Sequence, residues 1–235
     1  MLPGELHATV QEVEQLAGCE IAVVPDAAAS EFDSLTFGIE AGVCHATIAY
    51  RGDSVSRCAI LHELLHLKRY WLDAVPILRP TASRYELEAQ ALEDFVEHLV
   101  IIPEERRFEE SESNAHWSAV TADKLAELPR VSSASSQGEV VTLQRNLLLQ
   151  RALMDIALPD LDHTSLYDRL RDENFLEVST AFVDHLRKML NDKKCALIFA
   201  SQELRYDLTG FCVGCFNLRA NPKSFERSVA LFHYS

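Results

Sequence analysis

Apolar residues recur along this chain in two rhythms. Leu6, Val10, Val13 and Leu16 keep the three- and four-residue spacing of one helix face and predict an opening helix over residues 5–17. The apolar run 21–24, ended by Pro25 and Asp26, reads as a short buried strand. Strand-like segments 37–40 and 43–50, separated by Ala41 and Gly42, predict a β-hairpin. Asp53 or Ser54 can then cap a helix that runs to Leu72. A second long helix is expected over residues 83–102, stopped by Pro103.

Beyond Pro103 the texture changes. Residues 104–112 are dense in charge and read as solvated, and 130–138 form the most linker-like stretch. Residues 140–157 and 175–190 return to helical spacing, and three strand-like segments follow at 195–200, 211–218 and 229–234. No internal repeat is visible. The expected architecture is α+β, with a first domain over 1–115 and a smaller α+β domain over 116–235, the boundary falling between 105 and 138.

Charge narrows the function classes. Against 36 Asp and Glu stand 22 Lys and Arg, a net charge of −14. General affinity for nucleic acid or an anionic membrane is not expected from such a chain, so any work near DNA would run through another protein. No stretch reaches the length of a bilayer span. Residues 1–7 carry neither a basic nor an apolar leader region. Six cysteines in that setting read as reduced thiols, which places the expectation in the cytoplasm.

The chemistry concentrates in His62-Glu63-Leu64-Leu65-His66, an H-E-x-x-H pattern on a predicted helix. Four residues at 100° each return His66 to within about 40° of His62, one turn on, so two imidazoles can reach one metal ion. Glu63, beside the first of them, is placed to act as a general base rather than as a ligand. Zn²⁺ suits such a donor set. The second helix offers Glu86, Glu88, Glu93 and Glu97 for a third ligand. Glu88 falls on the face of Leu92, Phe95, Val96 and Leu99, where an acid is costly unless paired or metal-bound. Glu93 has Glu97 one turn later, an arrangement in which Glu93 binds the metal and Glu97 holds the free N–H of a ligand histidine. Glu93 is the first choice and Glu88 the second. His98, 140° round the helix from Glu93, reads as a structural histidine.

The order of hairpin, H-E-x-x-H helix, and acidic helix ending Val100-Ile101-Ile102-Pro103 resembles the regulatory ImmA/IrrE-type metallopeptidases, a gluzincin-like group with phage-defence-associated members. The likeness covers residues 37–103, and the spacing from His66 to Glu93 favours Glu93. It departs at Val96 and Glu97, where the family usually carries alanine and asparagine. The resemblance implies a zincin-like N-terminal domain and a C-terminal sensor or docking domain. It further implies a stress-response zinc metalloprotease that cleaves one protein partner, a DNA-binding transcriptional repressor, and so acts in transcription regulation. In that scheme zinc polarises the scissile carbonyl, Glu63 moves the proton, and strand 43–50 is the edge along which substrate lies extended. The alternative is a non-catalytic module that keeps the metal fold for recognition.

Cys212-Val213-Gly214-Cys215 lacks the second pair that a zinc ribbon needs, and its cysteines read as core thiols. A sharper role for Cys212, or for Cys44 ahead of the active helix, is an inhibitory thiol held on the zinc. Tyr70, Trp71 and Trp117 read as packing groups.

Overall fold

The computed structural model describes residues 4–25, 34–40, 43–50, 56–220 and 229–230. The chain divides into two compact units. One is built from Met1–Arg79 with Cys212–Ala230, the other from Pro80–Phe211 with Leu231–Ser235. Both helices and sheets are present, and the class is α+β. The boundary expected near residue 115 falls inside a helix of the second unit.

In the first unit, α1 (Gly4–Ala17) precedes β1 (Ile21–Pro25), β2 (Ser34–Glu40) and β3 (Val43–Tyr50). The expected hairpin is there, with Phe37 opposite Ala46 and Ile39 opposite Cys44. The sheet order, however, is β1-β3-β2. β1 pairs parallel to β3, Ile21 beside Ala46 and Val23 beside Ile48. Strand 43–50 is therefore central, not the edge expected for an extended substrate, because both of its backbone rows are taken by neighbours. Its alternate residues Cys44, Ala46 and Ile48 are buried, a period of two that gives the sheet one inward face.

α2 (Arg57–Leu67) follows, capped by Ser56, whose Oγ accepts from the Ala59 N–H at 3.2 Å. The expected caps Asp53 and Ser54 lie outside the described residues. The helix then widens into a π turn over Lys68–Leu72. That turn sends Tyr70, Trp71 and Leu72 into a core shared with Val13 of α1, Cys44 and Ala46 of β3, and Phe216. A second sheet, order β4-β5-β6, joins β4 (Ile77–Pro80), β5 (Phe211–Gly214) and β6 (Val229–Ala230). The strand expected over 211–218 shortens to β5, and only 229–230 of the last one can be described.

The second unit is helical where a smaller α+β domain is expected. It contains α3 (Glu86–Phe108), α4 (Glu110–Glu127), α5 (Gln137–Ala152), α6 (Thr164–Asp172), α7 (Leu176–Met189) and α8 (Lys193–Glu203). Pro103 does not stop α3. The proline forfeits a backbone hydrogen bond, about 3 kcal/mol in a helix interior. Fully burying Ile101 and Ile102 around it offsets that loss. Segment 195–200, expected as a strand, is the body of α8. Asp192 caps it through the Cys195 N–H at 3.1 Å, and Ala196, Leu197, Ala200 and Ser201 bury one helical face. A short unbroken apolar run does not discriminate the two periods; the cap does. The linker-like stretch contributes Ser136, the N-cap of α5, whose side chain accepts from the Glu139 N–H. Among the described residues no helix is long and apolar enough to cross a membrane.

Candidate metal centre

α2 presents the motif as its spacing requires. The Nε2 atoms of His62 and His66 stand 3.2 Å apart, with ring centroids 4.8 Å apart and planes at 78°. Two nitrogens bound to one tetrahedral zinc at about 2.0–2.1 Å would be separated by about 3.3 Å, so the pair fits two corners of such a site. A proton shared between the rings satisfies the same distance.

His66 is buried and His62 half-buried, so the site has a wet and a dry side. The His66 ring stacks on Tyr70 at 5.8 Å and 25°, and Tyr70 stacks in turn on Phe37 of β2 at 5.4 Å. This column fixes the orientation of His66 from the sheet side. Glu63, next to the first histidine on the same helix, is buried, at 8% exposure.

Among the described residues, one group of three potential ligands could hold a metal ion: His62, His66 and His98. It contains no glutamate and no cysteine. His98, read from the sequence as structural, is the member of that group not proposed there as a ligand. The available signal was its singularity, since α3 carries no other histidine.

The acids of α3 have other partners. Glu93 and Glu97 do come together one turn apart, on Lys193 of α8. The Lys193 ammonium donates to Glu93 Oε1 and, at 2.7 Å, to Glu97 Oε2. All three residues are buried, Glu97 completely. Their pairing follows from burial, because carboxylates taken from water need a cation or donors, and α8 supplies one. Glu88 is half-buried, near enough to Tyr206 that its charge helps raise the phenol's pKa, a shift caused mainly by burial and opposed by Arg145.

His98 is half-buried, its ring 5.4 Å from that of Trp117 on α4. Trp117 Nε1 donates to Glu105 Oε1 at 3.2 Å, and both residues are buried. The charge-dense stretch expected to be solvated thus carries a fully buried carboxylate.

The thiols are dispersed. Cys44 is packed in the first unit's core. Burial, with Cys44 and Glu14 beside it, pushes the Cys19 thiol up, which keeps it protonated. Cys212 is half-buried, its Sγ donating to the Arg79 carbonyl at 3.5 Å. No family model matches the sequence, and neither a curated protein nor a solved structure matches it.

Proposed function

We propose that this protein is a metal-dependent peptidase of the zinc class, with His62 and His66 as ligands and Glu63 as general base. The observation that carries the reading is the convergence of His62 and His66 at 3.2 Å beside a buried glutamate on the same helix. A divalent cation held there supplies Lewis-acid polarisation of a carbonyl and acidifies a water. Glu63 takes the proton of the attacking water and returns it to the departing amine nitrogen. Tyr70, stacked on His66, keeps that ring from turning between events.

The substrate class rests on the resemblance to ImmA/IrrE-type enzymes and on charge. A chain at −14 attracts a basic protein, and a DNA-binding repressor presents such a surface. This reading places the protein in the cytoplasm, where its free cysteines stay reduced. With β3 central, an extended substrate strand would pair along β1 or β2, the outer strands of that sheet.

Glu63→Gln tests the reading. It should lower cleavage of a repressor partner by about 10²–10⁴-fold, the usual range for loss of a general base, while bound metal and partner binding stay unchanged. Cleavage at the wild-type rate overturns catalysis by Glu63. The second reading, a recognition module that keeps the metal without cleaving, is favoured by the engagement of Glu93 and Glu97 with Lys193. It predicts full biological activity in the same variant.

A further inference from the structure

We propose that Cys19 and Cys44 form a redox pair: hydrogen peroxide oxidises Cys19, and Cys44 then closes a disulfide that staples β1 to β3. The inference is independent of the metal-site reading, and its observations lie within the first unit. β1 and β3 run parallel, with Ile21 beside Ala46. The same register carried back by two residues sets Cys19 beside Cys44. Positions two apart share a face, and Cys19, Ile21, Cys44 and Ala46 all pack into one core. Adjacent strands lie about 4.8 Å apart, inside the range of about 4.4–6.8 Å between Cα atoms that a disulfide spans.

Cys19 is held at that point by α1. Gly18, at φ 68°, ends the helix in the left-handed conformation, and its N–H donates to the Glu14 carbonyl at 2.9 Å. The Ile21 N–H donates to Glu14 Oε1 at 3.0 Å. The two bonds bracket Cys19 and fix its backbone against the start of β1. Burial is the first cause of the raised Cys19 thiol and the charge of Cys44 the second, ahead of Glu14, so the two sulfurs are electrostatic neighbours.

The thiols differ in access. Cys19 is half-buried and lines a surface depression with Glu14 and Glu20, whereas Cys44 is 3% exposed. An oxidant therefore meets Cys19 first. The carboxylates beside it repel anionic oxidants and leave a small neutral peroxide unhindered. The Cys19 thiolate attacks one peroxide oxygen, the O–O bond breaks, and a sulfenic acid forms as hydroxide leaves. That hydroxide takes the Cys44 proton and becomes water. The Cys44 thiolate attacks the sulfenic sulfur, the S–O bond breaks, and the departing hydroxide recovers the proton that Cys19 gave up. Two thiols and one peroxide thus become one disulfide and two waters. The raised Cys19 thiol keeps the first step slow at neutral pH, so the pair stays reduced in a reducing compartment and answers sustained peroxide. The bond closes the loop 20–43 and ties the outer strand β1 to the central one.

The test uses the full chain carrying Cys195→Ser, Cys212→Ser and Cys215→Ser, which leaves three of the six cysteines, Cys19, Cys44 and Cys58. Under hydrogen peroxide the thiols should fall from three per chain to one, and a dithiol reductant should restore them. Cleavage after Glu, Lys and Arg puts Cys19 in peptide 15–20 and Cys44 in 41–51, and these two should be found joined. The rate should rise about tenfold per pH unit while the thiol is mostly protonated, because the thiolate attacks. Cys44→Ala should stop at a Cys19 sulfenic acid, captured by a 1,3-dione, and Cys19→Ser should leave Cys44 unoxidised. Should Cys44→Ala fail to fold, the peptide map of the parent chain still decides. The same oxidation in urea controls for random pairing. Peptides joined no more often in the folded protein than in urea overturn the inference. So do an unchanged thiol count, oxidation of Cys19 without a link to Cys44, and a link to Cys58 as the main product.

Discussion

α2 and α3 each carry candidate ligands, and they differ in how those ligands are held. On α2 the decisive geometry is local. His62 and His66 meet because they are one turn apart on one helix, and no other segment is needed to bring their Nε2 atoms to 3.2 Å. On α3 the leading candidates are held by a segment far away in sequence. Glu93 and Glu97 take their cation from Lys193, 100 residues on from Glu93, and Trp117 sits against His98 from the next helix. A motif that closes on itself survives being read in isolation. Residues whose partners are distant do not reveal their roles until those partners are placed.

Ligand removal should separate the two helices most sharply. A structural-type zinc site yields about 10–16 kcal/mol of binding energy, so one of three ligands is worth about 3–5 kcal/mol. His62→Ala and His66→Ala should each weaken zinc by about two to four orders of magnitude. Glu93→Gln should leave zinc stoichiometry at the wild-type value. Metal analysis after dialysis against a chelator distinguishes these outcomes. If Glu93→Gln empties the protein as thoroughly as His66→Ala, Glu93 is a ligand and α3 works as the family resemblance implies.

A smaller effect tests what the acids of α3 do instead. Lys193→Met removes the ammonium and leaves two buried carboxylates one turn apart. Breaking a buried ion pair by deleting one partner costs about 3–5 kcal/mol. Denaturant unfolding should show that loss, and Glu93→Gln in the Lys193→Met background should recover part of it, since one carboxylate then carries no charge. Additive losses in the double variant would mean that Lys193 and Glu93 are not coupled.

The same contrast explains which parts of the fold were legible in the sequence. The opening helix, the hairpin, α2, α5 and α7 followed from periodicity because each buries a stripe or a face of its own residues. Segment 195–200 was misread as a strand for a physical reason: Cys195-Ala-Leu-Ile-Phe-Ala is apolar at every position from 196 to 200, so both periods fit it. With α8 misassigned, Lys193 had no visible connection to Glu93. Pro103 was misread because its local penalty is visible in sequence, whereas the burial of Ile101 and Ile102 that offsets it depends on tertiary packing. The place of β3 at the sheet centre was hidden likewise, since alternation along 43–50 reports an inward face and is silent about which strands flank it.

The smallest effect probes how self-sufficient α2 is. Ser56 satisfies one of the unbonded N–H groups at the helix start through Ala59, and its loss in Ser56→Ala should cost about 1 kcal/mol. The histidines sit on the second and third turns, beyond the fraying end, and His66 is pinned by Tyr70. Zinc affinity in Ser56→Ala should therefore change by less than the roughly fivefold that 1 kcal/mol would give if it were wholly coupled to the site. Ser56→Asp should retain the cap and add favourable charge at the helix N-terminus, matching or exceeding wild-type stability. Parallel urea unfolding and competition titration of these two variants decide the matter. A loss of affinity equal to the loss of stability would show that the motif is not held by its own helix, and that α2 depends on its surroundings as much as α3 does.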